Sequence, residues 1–392
     1  MNRHILFLIM RYMVFHWGKS LLLLCALTLT FAMPMCLSQL TGIFEKVIRQ
    51  RAVSTPLVLG VKGNEYDLTL HALYFRTGIR DTFPIETWHA FMQEGRGLAA
   101  PIAHGYTARE HPIVGTTLEY FEARGLRCQK GHLFTKIGQC VIGASLASAL
   151  DLGPGSTIIS DPQNVFNLAG DYPIEMYVTG VLAESGSPDD GVLFVDLKTH
   201  WILEGWGHGH EGLASKDISS GLILKKNGQS VTASAALIPH LKINEENQSE
   251  FHFHGPLHEL PITAMLVWPK DAKSRALLLG QYNKEPGMLY LVRPLEVVES
   301  MMTWVFRVKA FLDANFTLIA ISVTGMGAVI LMLSLRLRHE EFQTFDYLGC
   351  RRFFVFRLVL IEWSALTLLA LVLAMSITWF SSHGLRWIMA VV

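Results

Sequence analysis

No G-x-x-x-x-G-K-[ST] run occurs in the 392 residues, so the chain has no P-loop to hold nucleotide phosphates. No H-E-x-x-H occurs either: His210-Glu211 and His339-Glu340 each lack the second histidine of a zinc-binding helix face. Gly143-Ala144-Ser145-Leu146-Ala147 approaches a nucleophile elbow but ends in alanine, and small residues at a tight strand–helix junction account for it without a hydrolase. An excess of one charge is missing: 33 Lys and Arg balance 33 Asp and Glu, which removes the sign of a nucleic-acid partner. Long apolar runs are missing from residues 42–312, which excludes a bundle of membrane helices throughout.

What apolar sequence there is lies at the two ends. Residues 20–40 and 314–335 carry no charge, and residues 358–380 carry only Glu362. Each run reaches the roughly 20 residues that a helix needs to cross a bilayer. Residues 1–19 mix Arg3, Arg11 and Lys19 with apolar side chains, as in a helix lying on the cytoplasmic membrane surface. A cleaved signal peptide fits less well, because no A-x-A site follows the first apolar core and Met33-Pro34-Met35-Cys36 is a poor lipoprotein cleavage box. Pro34 is expected to kink the retained helix. Between the second and third runs, Arg336, Arg338, Arg351, Arg352 and Arg357 crowd a short join, which the positive-inside rule places in the cytoplasm.

The expected architecture is an α+β membrane protein: residues 1–42 form a surface helix and transmembrane helix 1, and residues 43–298 a large mixed α/β periplasmic domain. Residues 299–392 form a stalk and transmembrane helices 2 and 3. Within the domain, strands are predicted at residues 56–61, 66–74, 139–145, 157–160, 174–182, 192–197, 262–268 and 288–292. Helical spacing marks residues 85–93 and 146–150, the latter stopped by Gly153-Pro154-Gly155. Residues 299–314 continue into the second apolar run without a breaker, predicting one long helix.

Of the five cysteines, Cys128 and Cys140 fall in the outer domain, where a disulfide is favoured over free thiols or a metal. Two histidine clusters, His208-Gly209-His210 and His252-Phe253-His254 with His258, offer imidazoles that would bind zinc or copper if they met; surface histidines are the plainer reading. Glu362, a lone charge in an apolar helix, should face protein or snorkel as an anchor.

Arg336-x-Arg338-x-Glu340-Glu341-Phe342, Tyr347-Leu348-Gly349-Cys350-Arg351-Arg352, Arg357 and Glu362 together resemble the pattern of FtsX-like ABC-transporter permeases, which include MacB-type and lipoprotein-release permeases. Residues 140–158 (CVIGASLASALDLGPGSTI) and 174–197 (IEMYVTGVLAESGSPDDGVLFVDL) resemble that family's strand–helix–turn and hairpin. The resemblance implies a multi-pass inner-membrane protein with a cytoplasmic N-terminus, a MacB-like periplasmic domain and no enzymatic activity of its own. It implies a homodimer that works by mechanotransmission, with ATP and Mg in a separate ABC ATPase subunit and a periplasmic adaptor as a further partner. It places Glu341, Phe342, Leu348 and Gly349 in the ATPase groove, with Arg351 and Arg352 at the membrane edge. The family's fourth transmembrane helix is missing here, or begins at residues 383–392 (HGLRWIMAVV) and is truncated. The FtsX branch offers an alternative, a regulator of a periplasmic enzyme; a membrane-anchored metal-handling module is the other.

Overall fold

The apolar runs at both ends form helices that outlast them. In the computed structural model, α1 spans Trp17–Val53, α8 spans Pro294–Leu337 and α9 spans Phe353–Val391. All three are long and apolar enough to cross a membrane. The structure describes the chain apart from residues 1–6, 8–9, 12, 77–80, 163–172, 209–222, 228–229, 234–240, 244–247, 249–250, 285–286, 338–346, 348–352 and 392. The chain divides into two compact units, Met1–Lys46 with Met301–Met389, and Val47–Ser300 with Ala390–Val392.

In the first unit Leu23 and Leu27 of α1 pack with Leu366 and Ala370 of α9, with Val323 and Ile330 of α8 beside them. Gly327 lies so close to Trp363 that a Cβ would stand 2.3 Å from the indole. Small residues permit such close helix approach where no hydrophobic effect drives association. Pro34 sits inside α1, and the helix continues through it. Residues 383–391 do not begin a fourth helix: their backbone prolongs α9, since nothing between Trp379 and Val391 breaks it.

The second unit is built on one large sheet. Its first half holds β1 (Leu57–Val61), α2 (Glu65–Tyr74), β2 (Phe83–Pro84), α3 (Glu86–Glu94), β3 (Gly97–Ala108), β4 (His111–Thr116), α4 (Leu118–Arg124), β5 (Cys128–Gly131), β6 (Gln139–Ile142), α5 (Ala144–Leu150) and β7 (Thr157–Ile159). Then follow β8 (Ile174–Leu182), a 3-10 turn at Pro188–Gly191, β9 (Leu193–Asp196), α6 (Leu197–Leu203), β10 (Gly207–His208), β11 (Ile223–Asn227), β12 (Ser230–Ala233) and β13 (Leu241–Lys242). The set closes with β14 (His252–Phe253), β15 (Pro261–Ile262), β16 (Ala264–Pro269), α7 (Ala272–Lys284) and β17 (Leu289–Val292). Among the described residues the main sheet runs β13-β8-β6-β9-β4-β3-β16-β1-β17, with β5 and β7 also on β8. Parallel pairing joins β4 to β9 and β6 to β8, and antiparallel pairing joins β3 to β4 and to β16.

Two cores hold this sheet. One gathers Leu57, Leu59, Phe91, Trp201, Met265 and Val267; the other gathers Ile113, Ile142, Leu146, Met176, Val178 and Val195. Fully burying each such side chain contributes about 1.5–3 kcal/mol. At the free side of β17, the Asn283 side chain donates to Leu291 O and accepts from Leu291 N, which occupies main-chain groups that an open edge would leave unpaired.

Residues 66–74 are a helix, not the strand that their alternation predicts. Asn64 Oδ1 caps the amide of Tyr66, Glu65 and Asp67 sit in the first turn, and Leu68, Ala72 and Leu73 share the buried side. Phe75 ends the helix in the left-handed region, φ 54°, and returns its amide to His71 O.

Candidate functional site

Arg51 is a buried charge in the second unit. It lies in the last turn of α1, three residues short of Ser54, and its side chain is 4% exposed. Its guanidinium meets Asp189 with two prongs: Nη1 to Oδ2 at 2.6 Å and Nη2 to Oδ1 at 2.7 Å. Nη2 also donates to the Tyr120 hydroxyl at 2.9 Å, and Nε donates to Leu73 O at 3.1 Å. Tyr120 in turn donates to Asp189 Oδ1, and Ser187 donates to Oδ2 at 3.0 Å. One residue of α1 is thereby tied to α2, to α4 and to the turn after β8.

Each partner is placed by its own local structure. Asp189 stands on the 3-10 turn, whose N-cap is Ser187 and whose Pro188 fills the first position. Asp190 holds the same turn by accepting from the amides of Ser185 and Gly186. Gly143 lies under it: a Cβ there would stand 2.3 Å from the carbonyl oxygens of Asp189 and Asp190. The run that resembled a nucleophile elbow is therefore small because the turn rests on it. Tyr120 is fully buried against Phe121 and Phe194.

Burial alone would push the Asp189 carboxyl up; the Arg51 charge and its hydrogen bonds, then Arg124 and Tyr120, hold it below the usual carboxylate range. Burial pushes the Tyr120 phenol up, so it stays a donor. Arg124 adds a second cation: Nη1 donates to Ser54 Oγ at 2.7 Å, and the guanidinium lies over the Tyr120 and Trp268 rings. Beside this cluster α1 and the start of α8 are joined through Arg49 and Glu299, 3.2 Å apart and exposed, while Tyr66 and Ser300 share a hydrogen bond of 2.8 Å.

A second polar group lies under α2, β3 and α6. His71, His104 and His200 are all buried, and the first two rings are 5.2 Å apart. Thr263 donates to Ile102 O, so it accepts from His71 Nε2 at 2.8 Å; this fixes the neutral Nε2–H tautomer and leaves Nδ1 without a partner. His104 Nε2 lies 2.7 Å from Phe75 O. Burial, then the His104 charge, brings His71 down to about 4; burial, then His104 and His71, brings His200 down to about 3. Burial brings Glu204 up to about 7, and the imidazole that it approaches at 3.4 Å, His200 Nδ1, is neutral, so the contact is not an ion pair.

The residues singled out from sequence fall elsewhere. Glu341, Phe342, Leu348, Gly349, Arg351 and Arg352 lie outside the described residues, as does His210. His208 and His252 are opposite one another where β10 pairs with β14, so the two histidine clusters do meet in the backbone. His252 and His254 stack edge to face at 5.6 Å, and His258 lies 3.9 Å from Glu259. Among the described residues no three His, Cys, Asp or Glu side chains gather closely enough to hold a metal ion. Cys128 and Cys140 are free thiols, not a disulfide. They lie on β5 and β6, which both pair with β8, opposite Leu182 and Val178 respectively. Strands flanking a common neighbour are about 10 Å apart, beyond the roughly 7 Å that a disulfide can span. Glu362 is buried, 4% exposed, so it faces protein and does not snorkel.

Sequence reasoning missed Arg51, Tyr120 and Asp189. Arg51 was a charge just past the first apolar run, and Asp189 one of two acids in a turn; nothing local pairs positions 138 apart.

Residues 47–240 match the family described as the MacB-like periplasmic core domain. Two solved structures are similar. The periplasmic region of MacB from Actinobacillus actinomycetemcomitans is 12% identical, with 65% of this chain and 97% of that chain covered and a TM-score of 0.36. The extracellular domain of the ABC-type transporter YknZ from Gram-positive bacteria is 13% identical, with 60% and 98% covered and a TM-score of 0.32. No curated protein sequence matches the chain. Residues 47–240 thus match a MacB-like periplasmic core domain, set in a chain that has three membrane-length helices among its described residues.

Proposed function

We propose that this chain is the membrane subunit of an ABC transporter, a permease that couples ATP hydrolysis by a separate cytoplasmic ATPase to periplasmic export or extraction of substrate. The observation that carries this reading is the MacB-like periplasmic core domain set in a chain with three membrane-length helices. The chain itself has no P-loop, so the nucleotide belongs to the partner. The positive join at residues 336–357 faces the cytoplasm, which puts the N-terminus inside and the outer unit in the periplasm of a bacterial inner membrane. A second copy completes the machine as a homodimer, and a periplasmic adaptor receives the substrate.

In this reading Glu341, Phe342, Leu348 and Gly349 seat a short coupling segment in the ATPase groove, with Arg351 and Arg352 at the membrane edge. An apolar anchor with a charge beside it suits a groove that must bind tightly and in one register. Glu341→Lys and Phe342→Ala, each in the full chain, should abolish co-purification of the ATPase while leaving membrane insertion intact. Unchanged association in both variants would remove the coupling assignment.

A further inference from the structure

The Arg51 cluster has more connections than anchoring a helix end requires. Replacing a buried ion pair with apolar residues of similar volume is often neutral or stabilising, so such a pair is a poor device for stability alone. What it supplies is geometry. A bidentate guanidinium–carboxylate pair fixes distance and orientation together, which an apolar contact does not. Arg51 shares that pair with Tyr120 and adds Leu73 O, so its head is held from three directions. Asp189 is held equally firmly, on a turn capped by Ser187, braced by Asp190 and seated on Gly143. That turn links β8 to β9, and both strands lie in the interior of the main sheet.

The position along the chain matters as much as the contacts. α1 runs unbroken from Trp17 to Val53, and Arg51 sits in its final turn. The other ties at this level differ in kind: Arg49 with Glu299 is exposed and single-pronged, and Tyr74 donates to Ile48 O through one hydrogen bond of 2.8 Å. Exposed pairs of that sort contribute little and yield readily. From these observations we infer that Arg51, Asp189 and Tyr120 form the joint through which movement of the first membrane-length helix is passed to the turn that connects β8 to β9, and through it to the sheet of the periplasmic domain. Arg51 is a positioning residue in this scheme: it touches no substrate and acts through the turn that carries Asp189. The inference rests on the permease reading above.

The test is hydrogen exchange, read by mass spectrometry, on the full chain in nanodiscs with its co-purified ATPase, with and without ATP. Three chains are compared: wild type, Arg51→Lys and Tyr120→Phe. Arg51→Lys keeps the charge but loses the two-pronged geometry; Tyr120→Phe keeps the ring packing and loses the shared hydroxyl. In wild type, ATP should change exchange both in residues 17–46 and in residues 174–196. In the variants the first change should persist and the second should be lost, with ATPase association retained. A purely structural role would leave both changes in place or remove both together with a cooperative loss of fold, and either result overturns the joint. Absence of any ATP-dependent change in wild type would overturn the permease reading, and the joint with it. Arg51→Met adds a stronger lesion; if it does not fold, Tyr120→Phe alone still decides the matter.

Discussion

The guanidinium of Arg51 and the carboxylate of Asp189 lie 138 positions apart in sequence and meet at 2.6 and 2.7 Å with both side chains buried. Removing one partner leaves the other charge stranded, at a cost of about 3–5 kcal/mol. Asp189→Asn and Arg51→Met should therefore each lower the thermal unfolding midpoint of the full chain in detergent by many degrees. The double variant should lose clearly less than the two losses combined, because the second change removes an already stranded charge. Additive losses would mean that the two side chains act independently.

Gly143 gives a steric version of the same experiment. Its backbone is of ordinary sign, φ −67°, so alanine suffers no conformational penalty there. The penalty comes from the 2.3 Å approach to the Asp189 and Asp190 carbonyls. Gly143→Ala should destabilise by about 1–3 kcal/mol, the usual cost of overpacking. Gly153, whose added Cβ would meet nothing within 4 Å, is the control and should tolerate the same change far better.

The buried histidines set the response to acid. His71 and His200 have values of about 4 and about 3 against an ordinary 6.5, so the unfolded chain takes up protons that the folded one refuses. Their contribution is complete above pH 6.5 and is lost as pH falls below it, by about 2 kcal/mol each at pH 5. Glu204, raised to about 7 from 4.5, has the opposite sign: its contribution is fully present below 4.5 and is lost as pH rises through 7. It returns about 2 kcal/mol between pH 7 and 5, leaving these groups a net loss of about 1–2 kcal/mol. Unfolding midpoints measured from pH 8 to 5 should fall modestly in wild type and more steeply in Glu204→Gln. A wild-type midpoint that rises on acidification would contradict the assignment of neutral imidazoles.

Cys128 and Cys140 should stay unlinked under oxidising conditions, since β8 stands between their strands. Non-reducing peptide mapping of the full chain should recover both as thiols. Cys140, buried and with its thiol pushed up by desolvation, should resist alkylation until the protein unfolds.

How much of this was legible in sequence depends on range. The membrane-length helices, β1, β8, β9 and the continuous helix into α8 rest on local apolar patterns, and those patterns predicted them. β3 did not show itself. Gly97–Ala108 is rich in alanine and carries Pro101 and Gly105, which local propensity disfavours, yet it pairs with β16 on one side and β4 on the other. Neighbouring strands supply what its own residues lack. α2 misled because Tyr66, Leu68, Leu70, Ala72 and Tyr74 alternate as in a strand, while the deciding signal was the cap at Asn64. The histidines drew attention in the wrong place: His252 and His258 are exposed, whereas His71, His104 and His200 lie in apolar stretches that gave no metal-like spacing.

The most direct measurement is ATP hydrolysis by material pulled from native membranes through a tag on the full chain and reconstituted in nanodiscs. A permease subunit should bring down a separate nucleotide-binding protein, and the complex should hydrolyse ATP while the chain stripped of that partner should not. A chain that comes down from intact membranes with no nucleotide-binding protein, in crosslinked as well as untreated samples, would contradict the permease reading.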